Sequence, residues 1–513
     1  GRGASAHKFT AMSKNGFLSL DAPVLCRLFS FSRQNAILEL ASLATDWPRL
    51  VAAHRRKLAV TPSVPLSAVI FAAPHFHRLL EVVVDGTSCG GGGPQASFWA
   101  AAGRLLGLLD SSTLERLELK GIPLASVTFP LSVAQLEFLV AALQHTPSFP
   151  CLQALHLEDV LLGKNAPAVA LKHLIQALRV PQPALSSLSL KRNALAANGT
   201  RAICTALEEG LLGAQLLRLD LSVNELGQPG AARLASLLPH TPRLRALLLA
   251  GNALGPAGAV VLAPGLMTVR QSLKELDLSV NGLGAEGVAA LAPAALQLEA
   301  LSLSGNWLDG GAVDAVSNLM LLMTCSLIKL DISVNKFYAH GVQQLLDQLP
   351  PLPQLRVLSL AVNAFATAAF ANSAPLARLA ELAPMLEDLD ISASHLGSDT
   401  GVMVAIAASL PLTLKVLHLN ASLLQHPQLE QFLDALPQLP HCEYLNLVQT
   451  RLDDKAAATL AAQAPLAKLP RLQVLDISGN AISGGAAVQL AAALRRGTPF
   501  RQLKGAKLSL QAR

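Results

Sequence analysis

The sequence predicts an α/β solenoid: a curved parallel β-sheet built from stacked units, α-helices along its outer side, and a small helical segment in front. Two observations carry that expectation. The phrase Leu-x-x-Leu-x-Leu-x-x-Asn-x-Leu-Gly recurs, as LLRLDLSVNELG from Leu216, LRALLLAGNALG from Leu244, LKELDLSVNGLG from Leu273, LEALSLSGNWLD from Leu298 and LQVLDISGNAIS from Leu472. A fixed period of this size marks stacked units rather than one globular core. A second phrase, Leu-Gly-x-x-Gly-Ala-x-x-Leu-Ala, follows the first, as in LGQPGAARLASLL and LGPAGAVVLAPGL. Its Leu and Ala recur at helical spacing.

Each unit reads as strand, turn, helix, turn. The Leu-x-Leu alternation makes a short strand with both leucines pointing into the stack. Asparagine follows at a turn, as Asn193, Asn224, Asn252, Asn281, Asn306, Asn335, Asn363 and Asn480, where its side chain can bond the backbone of adjacent turns. Ser394, Ser422 and Thr450 replace it later, and a hydroxyl does part of that work; Ile122 and Val160 cannot, so the early units are expected to be less regular. The first glycine of the second phrase suits a turn, and the next one, Gly230 or Gly258, is expected to open the helix. Prolines such as Pro239 and Pro242 stop it.

About 14 units begin between Leu79 and Leu472, and Phe500 opens a truncated one. Their spacing is 28 to 31 residues from Leu185 onward, with one interval of 25, after longer first intervals of 35, 38 and 33. Residues 76–513 are therefore assigned to the solenoid. Residues 1–19 read as an arm with Arg2, Lys8 and Lys14 and no acid, similar to the tail of an organellar presequence and equally to an ordinary arm. Residues 20–50 form three short apolar helical sets, and 51–75, with the basic run His54 to Lys57 and three prolines, read as a connector.

The repeats resemble the leucine-rich repeat family, in its ribonuclease-inhibitor-like class with long units and outer helices. The resemblance covers about residues 76–513 and implies a horseshoe. Residues 20–50 resemble an F-box: Leu20, Val24, Leu25, Leu28, Phe29, Ser30, Phe31, Ile37, Leu38, Leu40, Leu43 and Trp47 stand in the family's order. Asp21 replaces the family's proline and Ser32 a hydrophobic residue. That resemblance implies docking on the adaptor of an SCF ubiquitin ligase through Leu20, Val24, Leu25, Leu28, Phe29 and Phe31. The same helices also suit a cap over the first unit, which a solenoid end needs in either case.

Composition narrows the function. Of 513 residues, 51% are hydrophobic, 14% charged and 4% aromatic, which suits a surface partly covered by partners and equally a bias toward good helix formers. A net charge of +6 and a pI near 9.1, without a basic stripe, neither indicate nor rule out nucleic acid. No run of 18 apolar residues argues for membrane insertion. Six scattered cysteines without zinc spacing read as small hydrophobes in a reducing compartment. The expected location is intracellular and cytoplasmic, with mitochondrial matrix or cilium as alternatives, and the sequons at Asn198 and Asn420 are expected to be unused.

Chemistry finds little support. Gly86-Thr-Ser88-Cys-Gly90 matches G-x-S-x-G, but four glycines and a proline follow where a helix is required. His75 and His77 lack a third ligand nearby. No metal or cofactor is expected. The better candidate is the inner sheet, where Asp220, Asp277, Asp331, Asp390 and Asp476 alternate with the core leucines and Ser222, Ser279, Ser333, Ser392 and Ser478 stand two places on. Neutral Leu248, Ser302 and Ser359 fall between several of them, which limits repulsion. This row suits a basic helix or peptide, or simply supplies short polar residues to a tight curve. The leading expectation is a non-enzymatic protein-interaction scaffold, extended by the F-box resemblance to a ubiquitin-ligase substrate receptor. The alternatives are a structural subunit of a large assembly, such as an organellar ribosome, respiratory complex, axoneme or cytoskeleton, and lastly a GTPase-activating protein.

Overall fold

Leucines spaced Leu-x-Leu have to bury on one face, and stacking is what buries them. The computed structural model describes residues 57–60, 81–85, 115–120, 151–159, parts of 171–178, and 184–505 apart from 211, 295, 364–377, 396–399, 463–467 and 498. The F-box-like segment, with Leu20, Val24, Leu25, Leu28, Phe29 and Phe31, lies outside these residues, as do Ser88, His75, His77, Ile122 and Val160. The chain divides into two compact units, Gly1–Ser187 and Leu188–Arg513.

In the first unit, β1 (Lys57–Val60), β2 (Glu81–Asp85), β3 (Arg116–Lys120) and β4 (Ala154–Glu158) pair in parallel, each with the next. Strand β1 falls in the stretch read as connector. Its sequence, KLAV, follows a basic run and carries one leucine of the repeating phrase, so the pattern did not mark it. Strand β5 (Ser187–Ser189) stands at the boundary.

The second unit holds β6 (Arg218–Asp220), β7 (Ala246–Leu248), β8 (Glu275–Asp277), β9 (Ala300–Ser302), β10 (Lys329–Asp331) and β11 (Val357–Ser359). Next come β12 (Asp388–Asp390), β13 (Val416–His418), β14 (Tyr444–Asn446), β15 (Val474–Asp476) and β16 (Gln502–Lys504). They pair in parallel in chain order without a shift of register. The truncated unit expected at Phe500 supplies β16. Leu216, Leu219 and Leu221 are wholly buried, as are their counterparts along the stack, such as Leu244, Leu247 and Leu249. Helices α1 (Ala196–Glu209), α2 (Gly227–Leu237), α3 (Gly255–Thr268) and α4 (Gly284–Leu291) connect the early strands, burying leucines such as Leu234 and Leu262 against them. Further helices follow in the same role from Val313–Leu321 to Gly484–Gly497.

The turn after each strand is held by its asparagine. Asn281 Nδ2 donates to Leu278 O (3.0 Å) in its own turn and to Leu249 O (2.9 Å) in the preceding repeat, while its Oδ1 accepts from Asn252 N (3.0 Å). The same backward bond runs from Asn224 to Leu190 O, Asn252 to Leu221 O, Asn306 to Leu278 O, Asn335 to Leu303 O and Asn363 to Ile332 O. Where Ser394, Ser422 and Thr450 stand instead, the hydroxyls bond carbonyls of their own turn, Ser392 O, Asn420 O and Leu447 O, and of the three only Thr450 also reaches the next repeat, at Asn480 Oδ1 (3.5 Å). The hydroxyl does the local half of the work and leaves out the backward bond to the preceding repeat. Asn480 restores it, donating to Leu447 O at 2.7 Å.

The helices begin one turn earlier than expected. Gly227, Gly255 and Gly284 open α2, α3 and α4 with φ of +57°, +62° and +59°, and the second glycine sits inside the first turn. Its role is close packing, since a Cβ on Gly230 would lie 2.6 Å from Leu226 Cβ. Gly265 is more constrained still: a Cβ there would lie 2.6 Å from Ala235 Cα, so α3 rests directly on the backbone of α2.

Asn281→Ala removes a buried group that bonds two repeats and is expected to cost on the order of 3 kcal/mol, against about 1 kcal/mol for Ser394→Ala. Chemical denaturation of the two variants measures the difference, and equal losses would contradict the cross-repeat role. Gly265→Ala is expected to lower the thermal midpoint, because backbone rather than a flexible side chain blocks the added methyl.

Candidate partner-binding face

Residues that alternate with the buried leucines stand on the sheet face opposite the helices. At the third strand position the register runs Asp220, Leu248, Asp277, Ser302, Asp331, Ser359, Asp390, His418, Asn446, Asp476, Lys504. From β6 to β12 a carboxylate therefore recurs on every second strand, roughly 9.6 Å apart at ~4.8 Å per strand. The alternation expected from sequence is present, and it breaks down at His418 and Asn446.

Each aspartate has a structural task. Oδ1 of Asp220, Asp277, Asp331, Asp390 and Asp476 accepts from the backbone N–H of Ser222 (2.9 Å), Ser279 (2.9 Å), Ser333 (3.0 Å), Ser392 (3.0 Å) and Ser478 (3.1 Å). This side-chain turn closes the strand's end. The Ser333 and Ser478 hydroxyls donate to the same oxygens at 2.6 Å. The second oxygen of Asp220, Asp331 and Asp476 accepts from Ser189 (3.4 Å), Ser302 (3.2 Å) and Tyr444 (3.4 Å). Ser222, Ser333, Ser392 and Asp476 are buried, while Asp220, Asp277, Asp331, Asp390, Ser279 and Ser478 are part-exposed.

Acids on this face and at its edge have polar partners of their own. Arg218 pairs with Glu275 (2.8 Å), Lys274 with Glu299 (3.9 Å), and Arg356 and Lys415 with Glu387 (2.5 and 2.9 Å), while His418 Nε2 lies 3.6 Å from Asp388 Oδ1. The hydrogen bond from Lys415 holds the Glu387 carboxyl below its ordinary value. Among the described residues no cation stands within ion-pair distance of Asp220, Asp277, Asp331, Asp390 or Asp476.

Sequence reasoning missed a second cluster on β12 to β16, because it followed only the aspartates. His418 and Tyr444 place their ring centroids 5.5 Å apart, and Lys504 Nζ lies 5.1 Å from the centre of the Tyr444 ring. Asn446 Nδ2 is 3.2 Å from His418 Nδ1. Burial, with Asp476 beside it, pushes the Tyr444 hydroxyl above its ordinary value, and burial raises Asp388. The signal was available: Asp388, His418 and Tyr444 all occupy alternating positions of the repeating phrase.

Cys204 and Cys442 are buried, and burial pushes both thiols up to about 12, so they are inert packing groups; Cys151 and Cys325 are exposed. Among the described residues no group of three or more His, Cys, Asp or Glu is placed to hold a metal, and no helix is long and apolar enough to cross a membrane.

The family model described as Leucine Rich repeat matches residues 270–292, which contain β8 and the whole of α4. Ribonuclease inhibitor of Sus scrofa is 30% identical over 319 residues, covering 50% of this chain and 67% of that protein. The chain belongs to the leucine-rich repeat family. Tonsoku-like protein of Bos taurus is 31% identical over 239 residues, covering 43% of this chain; this leucine-rich repeat chain spans only 17% of that protein's length. Among solved structures, the leucine-rich repeat-containing protein LegL7 of Legionella pneumophila aligns with 66% of this chain and 97% of its own, at 20% identity and a TM-score of 0.41.

Asp277→Asn keeps the acceptor for Ser279 N, as Asn446 Oδ1 does for Val448 N (3.0 Å), and is expected to change stability by less than about 0.5 kcal/mol. Asp277→Ala is expected to cost about 1 kcal/mol. Asp388 has its folded value raised by burial, so its ionised form costs stability as pH rises through that value. Asp388→Asn is therefore expected to raise the unfolding midpoint at neutral pH, with the gain gone at about pH 3, where both states are protonated. A gain that persists in acid would contradict burial of the charge as its origin.

Proposed function

We propose that this protein is a non-enzymatic protein-interaction scaffold whose open sheet face receives a basic segment of a partner protein. One observation carries the reading: the part-exposed carboxylates of Asp220, Asp277, Asp331 and Asp390 form an evenly spaced row with no cation of the chain within ion-pair distance among the described residues. The neighbouring Glu275, Glu299 and Glu387 are paired with cations of the chain, so the row is left to attract a partner's cations. The chain as a whole carries +6, which makes a negative row a local property rather than an overall one. A relative named for inhibiting ribonuclease, itself a protein, supports a protein partner.

The F-box-like order of residues 20–50 extends the scaffold to an adaptor-docked substrate receptor. Leu28→Ala with Phe29→Ala is expected to abolish binding to an SCF adaptor, and unchanged binding would remove that extension while leaving the scaffold reading intact.

The test of the scaffold reading uses the full chain with Asp220, Asp277, Asp331 and Asp390 all changed to Asn. Titration calorimetry with an arginine-rich peptide is expected to show at least about tenfold weaker binding than the unmodified chain, with the difference shrinking in high salt. Circular dichroism is expected to be unchanged. Equal affinity of the two chains would overturn the reading.

A further inference from the structure

The turns that leave β6 to β11 combine exposure with an unfavourable backbone. The residue three places beyond the third strand position has positive φ at Val223, Gly251, Val280, Gly305, Val334 and Val362. Glycine adopts that conformation freely. The four valines hold φ of 57°, 54°, 54° and 56°, where a β-branched side chain is an outlier. Core burial does not compensate them, since they are 45%, 61%, 52% and 45% exposed. Trp307, two residues beyond Gly305, repeats the pattern with φ 61° and 67% exposure.

These side chains join into a ridge. Val223 Cγ2 lies 3.2 Å from where a Cβ on Gly251 would sit, and Val280 Cγ2 lies 3.1 Å from the same point on Gly305. The Trp307 ring reaches back over Gly282, 3.2 Å from its Cβ position. Valine of one repeat thus covers the glycine of the next. The ridge runs alongside the carboxylate row, because Val223, Val280 and Val334 follow Asp220, Asp277 and Asp331 by three residues.

We infer that the ridge and the carboxylate row together dock one amphipathic helical segment of a partner protein, with cations seven residues apart and an apolar stripe beside them. This rests on the reading of the carboxylate row proposed above and adds the partner's form. Charge selects a cationic segment. Spacing suits a helix: carboxylates on every second strand stand roughly 9.6 Å apart, and seven residues of helix advance about 10.5 Å and return to the same face. A helix about 10 Å across is wide enough to meet both row and ridge. The exposed valines supply the apolar side of such a contact.

The test compares two synthetic helical peptides of identical composition with the full chain, read by fluorescence anisotropy. One carries arginine at every seventh position with leucines on the adjoining stripe, and the other carries arginine at every fifth, which scatters the charge around the helix. The first is expected to bind at least about tenfold more tightly. Val280→Gly with Trp307→Ser is expected to weaken the first peptide by about tenfold at any salt concentration, without a fall in the thermal midpoint. If that double variant is less stable, Val223→Gly with Val334→Gly replaces it, since Gly251 and Gly305 already show the backbone accepting glycine there. Asp277→Asn with Asp331→Asn is expected to weaken both peptides, most strongly at low salt. Peptides that bind alike, or a ridge variant without effect while the Asp variants still weaken binding, would overturn the helical ridge and leave the carboxylate row standing. If the Asp variants also have no effect, or neither peptide binds, both readings fail.

Discussion

A buried side-chain amide cannot be left without partners, and the rest of the second unit depends on how this chain satisfies one in repeat after repeat. The Asn224, Asn252, Asn281 and Asn306 side chains each reach back to a carbonyl of the preceding repeat and accept from that repeat's own asparagine N–H. A slip of one strand by a residue would leave several buried polar groups unpaired at once, each at a cost of about 1–3 kcal/mol. Register is therefore held constant, and constant register is what brings equivalent positions into rows. The evenly spaced carboxylates, the valines beside them and the ion pairs at the other edge are products of that alignment.

Most of this fold was legible because its physics is periodic. Leucines at Leu219 and Leu221 and their counterparts announce a strand buried on one face, and the Gly-Ala-x-x-Leu-Ala phrase announces a helix. Strand β1 escaped because Lys57–Val60 forms through backbone pairing with β2, and backbone pairing leaves no mark on side-chain pattern. The helix starts were misplaced by one turn because two glycines compete for one role, and only three-dimensional proximity shows that Gly230 is needed for packing against Leu226. At the site, the positions of the aspartates and serines could be read, but their hydrogen bonds could not. Sequence left open whether Asp220 and its equivalents receive a basic partner or merely supply short polar residues to a tight curve; in the structure one carboxyl oxygen closes the turn, at Ser222 and its equivalents. The Tyr444 cluster is assembled from five strands, so no local window contains it.

Local preference and global order conflict at a few turns. Valine favours the extended backbone, yet Val223, Val280, Val334 and Val362 are held in the left-handed region, at a cost on the order of 1 kcal/mol or more each. The stack can impose this because backbone bonds such as Val223 N to Ala250 O (2.7 Å) and Val280 N to Ser304 O (2.7 Å) fix the turn from the neighbouring repeat. The repeats determine the conformation, and side-chain identity is free to serve the surface.

The replacement of asparagine by Ser394, Ser422 and Thr450 has a mechanical meaning. A stack of this kind behaves as springs in series, and elastic deformation under load concentrates in the softest link. Between β11 and β14 the strands keep their backbone ladder but lose the asparagine-to-carbonyl tie of the turns, and side-chain bonds on the sheet face, Ser392 to Asn420 and Asn446 to Asn420, cross there instead. The Tyr444 and His418 cluster begins on that stretch, whereas the regular carboxylate row from Asp220 to Asp331 stands where every turn is tied backward. Load on the array is thus carried by turn amides in one stretch of sheet and by the ladder and the sheet face in the next, set by a few amides exchanged for hydroxyls.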